Sequence, residues 1–134
     1  MPIIDDQTHL NPQLLETLKN FNKLPREQYL EKVENDGYEA YLLCTDPEAH
    51  KWSIAILDLM EAPRHFHKIG MEHFIVLGGE LEIKLGDVSH ILKAGQSVHI
   101  PPSVKHCLKS VLSTPVRLLC VNFPAFDPAD FHQN

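Results

Sequence analysis

The sequence predicts an all-β barrel preceded by a short helical lead, and three observations carry that prediction. The apolar period changes from helical to twofold near residue 37. The segments after that point are short and punctuated by Gly and Pro. The 134 residues, 43% hydrophobic and 22% charged, suit one domain large enough to bury a core of its own.

Taken in order, Asn11 followed by Pro12 starts a helix: Asn caps free N–H groups and Pro suits the first turn. Leu14, Leu15, Leu18 and Phe21 then recur at helical spacing. Pro25 opens a second predicted helix, with Tyr29, Leu30 and Val33 on one side and Asn35-Asp36-Gly37 as its stop. Beyond it, YEAYLLC reads as a strand ended by Thr45-Asp46-Pro47, and Trp52 to Met60 as another. Further short strands lie between turns at Gly70, Gly78-Gly79, Gly86-Asp87, Ala94-Gly95 and Pro101-Pro102-Ser103, and the last runs from Val116 to Asn122. The tail FPAFDPADF is aromatic and broken by Pro, and is assigned to neither class. Residues 1–36 are thus expected to be a helical extension, too small to stand alone, packed on a barrel of residues 37–134 or at a dimer interface.

Composition narrows the function classes. The net charge is -6, and no stretch gathers enough Lys and Arg to neutralise a row of phosphates, so no nucleic-acid partner is expected. The runs SIAIL and VRLLCV fall far short of a membrane span of about 20 residues, so no membrane partner is expected either. The start, MPIIDDQTHL, lacks the basic-then-apolar layout of a secretory leader, and a cytoplasmic location is the expectation. Cys44, Cys107 and Cys120 are an odd, widely spaced set with no CxxC, which reads as reduced thiols.

The chemistry lies in the histidines, of which there are nine, concentrated from His65 to His106. In Arg64-His65-Phe66-His67 the two imidazoles stand at i and i+2, which on a strand is one face. Glu72 follows after a turn at Lys68 to Gly70 and opens the segment EHFIVL, where Glu72, Phe74 and Val76 share a face. His106 is a fourth candidate, beyond the Pro101-Pro102 break. Three imidazole nitrogens and a carboxylate oxygen suit Fe, Mn, Co, Ni, Cu or Zn better than Ca or Mg. On an octahedral ion they leave positions open for water or substrate, as catalytic sites do.

These residues also carry a family resemblance. HFHKIGMEHFIVLGG resembles the first cupin motif through His65, His67, Glu72 and Gly79. GQSVHIPPSVKH resembles the second through Gly95, Pro101 and His106. The fifteen residues between Gly79 and Gly95 are close to the family's minimum between motifs. The resemblance covers about residues 50 to 123 and implies a double-stranded β-helix, or jelly-roll, cupin barrel with the N-terminal helical extension outside it. It implies one divalent transition metal (Fe, Mn, Ni, Zn or Co) at His65, His67, Glu72 and His106. Departures from the pattern are Leu59 and Ser103 where the family usually has Gly, and Ser110 where it often has Asn. Ser103 must make a tight turn that Gly would make at less cost.

Around the four donors, Phe74, Val76 and Ile100 are expected as apolar walls of a substrate pocket, and His99 as a donor to a ligand or substrate. His73 and Cys107 should face away from their neighbouring ligands, and Glu80, Glu82 and Lys84 should form an outward polar face. Phe123, Phe126 and Phe131 are read as packing residues, with a flap over the barrel mouth as the other arrangement.

Three classes of function fit. The motifs resemble the cupin domain of type II mannose-6-phosphate isomerases, including the Glu72-His73 pair, which implies a sugar or sugar-phosphate isomerase or epimerase with the metal as Lewis acid and Glu72 as a base. The same ligand set resembles that of acireductone dioxygenase-like and quercetinase-like cupins, which implies a dioxygenase on an enediol. The third class is a sugar- or metal-binding module without turnover. A small-molecule substrate and a homodimer are the partners expected.

Overall fold

The computed structural model describes residues 2–20 and 24–133. Strand β1 (Ile3–Asp5) and helix α1 (Pro12–Lys19) come first. A short 3-10 turn at Arg26–Gln28 leads into β2 (Glu31–Asn35) and β3 (Tyr38–Thr45). There follow β4 (Ser53–Leu59), β5 (Glu61–His65), β6 (Met71–Gly78), β7 (Glu80–Leu85) and β8 (Val88–Lys93). The last strands are β9 (Ser97–Ile100), β10 (His106–Ser110) and β11 (Val116–Phe123), and a 3-10 turn at Pro128–Asp130 ends the regular structure.

Two antiparallel sheets form the jelly roll, a seven-stranded one ordered β1-β9-β6-β11-β4-β3-β2 and a four-stranded one ordered β5-β10-β7-β8. Alternation builds the core between them. In β7, Leu81, Ile83 and Leu85 are buried while Glu80, Glu82 and Lys84 face outward, as the sequence predicts. Across the interior, Phe74 and Val76 of β6, Val98 and Ile100 of β9 and Leu118 of β11 meet them.

The first helix forms as predicted. Asn11 accepts from the backbone N–H groups of Gln13 and Leu14, and Pro12 occupies the first turn. Its Leu15 and Leu18 pack on the outer face of the large sheet against Leu24, Tyr41, Ile56 and Leu77. Phe21, assigned to the same helix face, lies outside the described residues.

The second predicted helix does not form. Residues Glu31–Asn35 are instead a strand, paired from Glu31↔Leu42 to Asn35↔Tyr38. Asp36-Gly37, read from the sequence as a helix stop, is the two-residue loop of a β-hairpin, with Gly37 at φ +99°. A two-residue Asp-Gly loop is a strong hairpin signal because both positions tolerate positive φ. A strand also forms at Ile3–Asp5, where the sequence shows no repeating alternation to announce it, and it pairs with β9.

Candidate metal centre

Three of the four donors sit where a strand begins or ends, and the fourth lies in the connection between two strands. His65 is the last residue of β5, and His106 is the first of β10 and stands directly opposite it in register. Glu72 is the second residue of β6, and His67 lies in the connection between β5 and β6. The turn that presents His106 is made by Ser103 at φ +71°, whose N–H donates to the carbonyl of His67 at 2.7 Å. The residue that replaces the family's Gly therefore takes the left-handed conformation Gly would take.

All four side chains are buried, with relative exposures of 5% for His65, 6% for His67, 7% for Glu72 and 1% for His106. One nitrogen or oxygen from each lies within 4.8 Å of those of the others. Glu72 Oε1 is 2.9 Å from His67 Nε2 and 3.1 Å from His106 Nε2.

The far side of each imidazole settles its tautomer. His65 Nδ1 lies 2.6 Å from the carbonyl of Pro63, His67 Nδ1 2.6 Å from that of Asp130, and His106 Nδ1 2.8 Å from that of Val104. A carbonyl only accepts, so Nδ1 carries hydrogen in all three rings. In the neutral rings Nε2 is then a bare lone pair, and it faces a carboxylate, which also only accepts. The buried Nε2 of His67 makes no hydrogen bond despite its 2.9 Å approach to Glu72, because the approach is off the hydrogen-bond direction. Converging lone pairs in a buried space require a cation between them, either protons or a metal ion. The donor set fits a divalent transition metal, and the carbonyls behind the rings are the outer contacts that such ligands use.

The electrostatics agree. Burial alone would raise the Glu72 carboxyl, but the close approach of the His106 and His67 rings and their electrostatic pull hold it at about 2. Burial, with repulsion from His106, lowers His65 to about 4. For His67, burial acts downward but is outweighed by Glu72 and by Asp130, and the net shift is upward.

A cavity of about 380 Å³ adjoins the cluster. His67 and Glu72 form its inner end, and Ile69, Gly70, Asn122 and the C-terminal stretch from Pro124 to Asp130 form its walls. This stretch, unassigned in the sequence, is the main feature that sequence reasoning missed. The Asp130 carboxylate accepts from the backbone N–H groups of Lys68, Ile69 and Gly70 at 2.8, 3.0 and 2.9 Å. It thereby ties down the loop between His67 and Glu72. The Phe131 ring stacks on His65 at 4.3 Å between centroids, and His132 bridges to Phe66. Of the three tail aromatics, then, Phe131 packs against a donor, Phe126 lines the cavity, and Phe123 is 42% exposed.

The expected pocket residues fall differently. Phe74, Val76 and Ile100 point inward, but into the packed interior, and are not among the residues lining the cavity. His99, expected as a donor to a ligand or substrate, does not line the cavity. Along β9, Val98 and Ile100 are buried and His99 is on the alternate, outer face, paired with His73 at 5.8 Å between ring centroids. The twofold period puts its neighbour Ile100 on the face of Glu72 and takes His99 off it. Asn122, which the sequence reading passed over, is inward-facing and directly opposite Glu72 in register.

Fold and site define a jelly-roll barrel with a buried three-histidine, one-glutamate centre beside a cavity. Residues 59–122 match the family model described as Cupin domain, and with the fold this supports the cupin superfamily. Among solved structures, the chain is similar to a Streptomyces PAC13 variant with uridine (TM-score 0.69, 13% identity, 84% of this chain and 90% of that one). It is also similar to KdgF from Halomonas sp. (TM-score 0.65, 14% identity, 75% and 91%) and to an RmlC-like cupin from Shewanella frigidimarina (TM-score 0.65, 22% identity, 79% and 93%). At these identities the likeness is one of fold. By sequence it is similar to an uncharacterized protein of Methanocaldococcus jannaschii (26% identity, 49% of this chain) and to Protein SchB of Streptomyces halstedii (34% identity, 41% of this chain). The match spans about half the length of these curated relatives, 53% and 40%.

Proposed function

We propose that this protein is a metal-dependent enzyme acting on a small, oxygen-rich metabolite. The observation that carries the reading is the set of three imidazoles whose Nδ1–H groups are committed to backbone carbonyls, so that their Nε2 atoms converge on Glu72 beside a ligand-sized cavity. A divalent ion held by His65, His67, Glu72 and His106 would supply Lewis-acid polarisation of ligand oxygens. The chain's own residues bind, orient and shield. Phe131 and the C-terminal stretch cover the donors on one side, and the packed core excludes water on the other. Glu72, lining the cavity with one carboxylate, is positioned to hold or take a proton from a ligand in that cavity.

The reaction class we favour is isomerase- or epimerase-like chemistry on a sugar. PAC13 is described as a nucleoside dehydratase and has been solved with uridine, a ligand of the same oxygen-rich kind. Elemental analysis of protein purified without added metal, paired with assays of sugar interconversion and of oxygen uptake on enediols, tests the proposal. Bound zinc or manganese with sugar interconversion is the expected result. Iron or nickel with oxygen consumption would replace it with a dioxygenase, and a metal-free, inert protein that still binds sugar with a binding module. A His67→Ala variant should lose metal stoichiometry; full retention would remove the basis of the reading.

A further inference from the structure

We propose that the cavity beside the four donors binds an uncharged, hydroxyl-bearing ligand, oriented by the carboxamide of Asn122, and discriminates against phosphorylated ones. The inference rests on the proposed function above and narrows its substrate class. Asn122 is 6% exposed, lines the cavity, and stands across from Glu72 in the β6–β11 register. Its Oδ1 receives only a weak contact from Cys120 Sγ at 3.8 Å. Its Nδ2 has no hydrogen-bond partner among the described residues. Among the described residues His67 Nε2 is the fully buried polar atom without a partner, so the Nδ2 of the otherwise buried Asn122 is reached from the cavity, where an acceptor on a ligand can take the place of water.

The walls say what kind of acceptor. Among the described residues lining the cavity there is no Lys or Arg, while the outer end carries Asp127 and Asp130. Both carboxylates are anchored: Asp127 Oδ1 accepts from the N–H of Ala129, and both oxygens of Asp130 accept from the 68–70 loop. Neither is free to swing aside for an anion. A divalent ion with three neutral imidazoles and one carboxylate leaves one net positive charge, enough for one ionised oxygen at the inner end. A phosphate further out would meet two carboxylates and, apart from the imidazole of His50, no basic side chain among the described lining residues. Ile69 and Phe126 add apolar surface for the carbon face of a polyol. At about 380 Å³ the space is at the lower end of the range for small-molecule sites.

The test uses the protein loaded with Mn(II), whose binding is read by its EPR signal. Binding of fructose, mannose and glycerol, each against its monophosphate, is read by paramagnetic relaxation of the ligand protons, with no turnover needed. The expected result is that at least one neutral compound binds roughly tenfold or more tightly than its phosphate. Asn122→Ala should weaken that binding by up to about tenfold with Mn(II) stoichiometry unchanged, and Asp127→Asn should narrow the preference for the neutral member. Asn122→Ser replaces Asn122→Ala if the latter does not fold. Equal or tighter binding of the phosphates, full binding by the Asn122 variants, or no relaxation of any neutral compound overturns the inference while leaving the metal site standing. Failure of Mn(II) itself to bind overturns the proposed function, and this inference with it.

Discussion

Replacing Asp130 with Ala tests whether the C-terminal stretch positions the metal centre or merely decorates it. The carboxylate accepts three backbone N–H groups, from Lys68, Ile69 and Gly70, at 2.8–3.0 Å, and the backbone carbonyl of the same residue accepts from His67 Nδ1 at 2.6 Å. Removing the side chain frees the loop that joins two of the four donors and loosens the anchor behind one of them. The freed N–H groups lie at the cavity rim and regain water, so each lost bond is worth nearer ~0.7 kcal/mol than the full charged value, or ~2 kcal/mol in all. Expressed wholly in metal affinity, that is roughly a thirtyfold loss, within the 10–100-fold range typical of outer contacts to metal ligands. The assay is metal affinity by chelator competition, alongside thermal denaturation of the metal-free protein. Asp130→Asn, which keeps one acceptor oxygen, should fall between wild type and Asp130→Ala. Because the same three N–H bonds hold the Asp130 carboxyl below its ordinary range, the tether is present near neutrality and weakens as pH falls through that range. Metal affinity of Asp130→Ala within twofold of wild type, with only the melting temperature lowered, would refute the positioning role.

Three further predictions follow from the geometry. Ser103 holds φ +71°, a conformation that costs a residue with a Cβ about 1–2 kcal/mol, so Ser103→Gly should leave stability unchanged or raise it by up to ~1 kcal/mol once the extra entropy of an unfolded Gly is deducted, as read by urea denaturation. Asp58→Ala leaves the buried Arg117 without its carboxylate contacts at 2.7 and 2.8 Å and should cost ~3 kcal/mol in the same measurement, whereas exposed Asp87→Ala should cost less than ~0.5 kcal/mol. His65 takes up a proton near pH 6.5 when unfolded but only near pH 4 when folded. Between those values the unfolded chain holds more protons, so this residue makes the metal-free protein less stable as pH falls from 6.5 to 4, and His65→Gln should flatten that part of the stability profile.

How far the site was legible depends on how its parts are encoded. The four donors lie within forty-two residues of one another, in strands and turns whose Gly and Pro punctuation fixes their spacing, so a local pattern was enough to find them. The face of Glu80, Glu82 and Lys84 followed from the twofold period. Closeness to the Pro101-Pro102 corner suggests His99 for the pocket, but its alternation with the buried Ile100 sends it outward. At Glu31–Asn35 the spacing of Tyr29 and Val33 satisfies a helix locally, and the pairing with the strand Tyr38–Thr45 is what makes extended structure the better solution. Such a choice is made by long-range pairing, which a local window does not contain.

Asp130 shows the other limit. It lies fifty-eight residues beyond Glu72 in a tail without periodic pattern, and no spacing rule links it to the loop it holds. Yet its role follows from elementary bonding once the chain is folded. A loop of consecutive N–H groups at 68–70 needs acceptors, a carboxylate supplies them, and the carbonyl of the same residue is then fixed against His67. The same logic runs through the centre. Pro63, Asp130 and Val104 each give up a carbonyl to an imidazole Nδ1, and in doing so determine that every Nε2 faces Glu72 as an acceptor. The backbone thus sets the protonation pattern of the rings, and the remaining deficit of positive charge is what suits the cluster to a cation, as the proposed function requires.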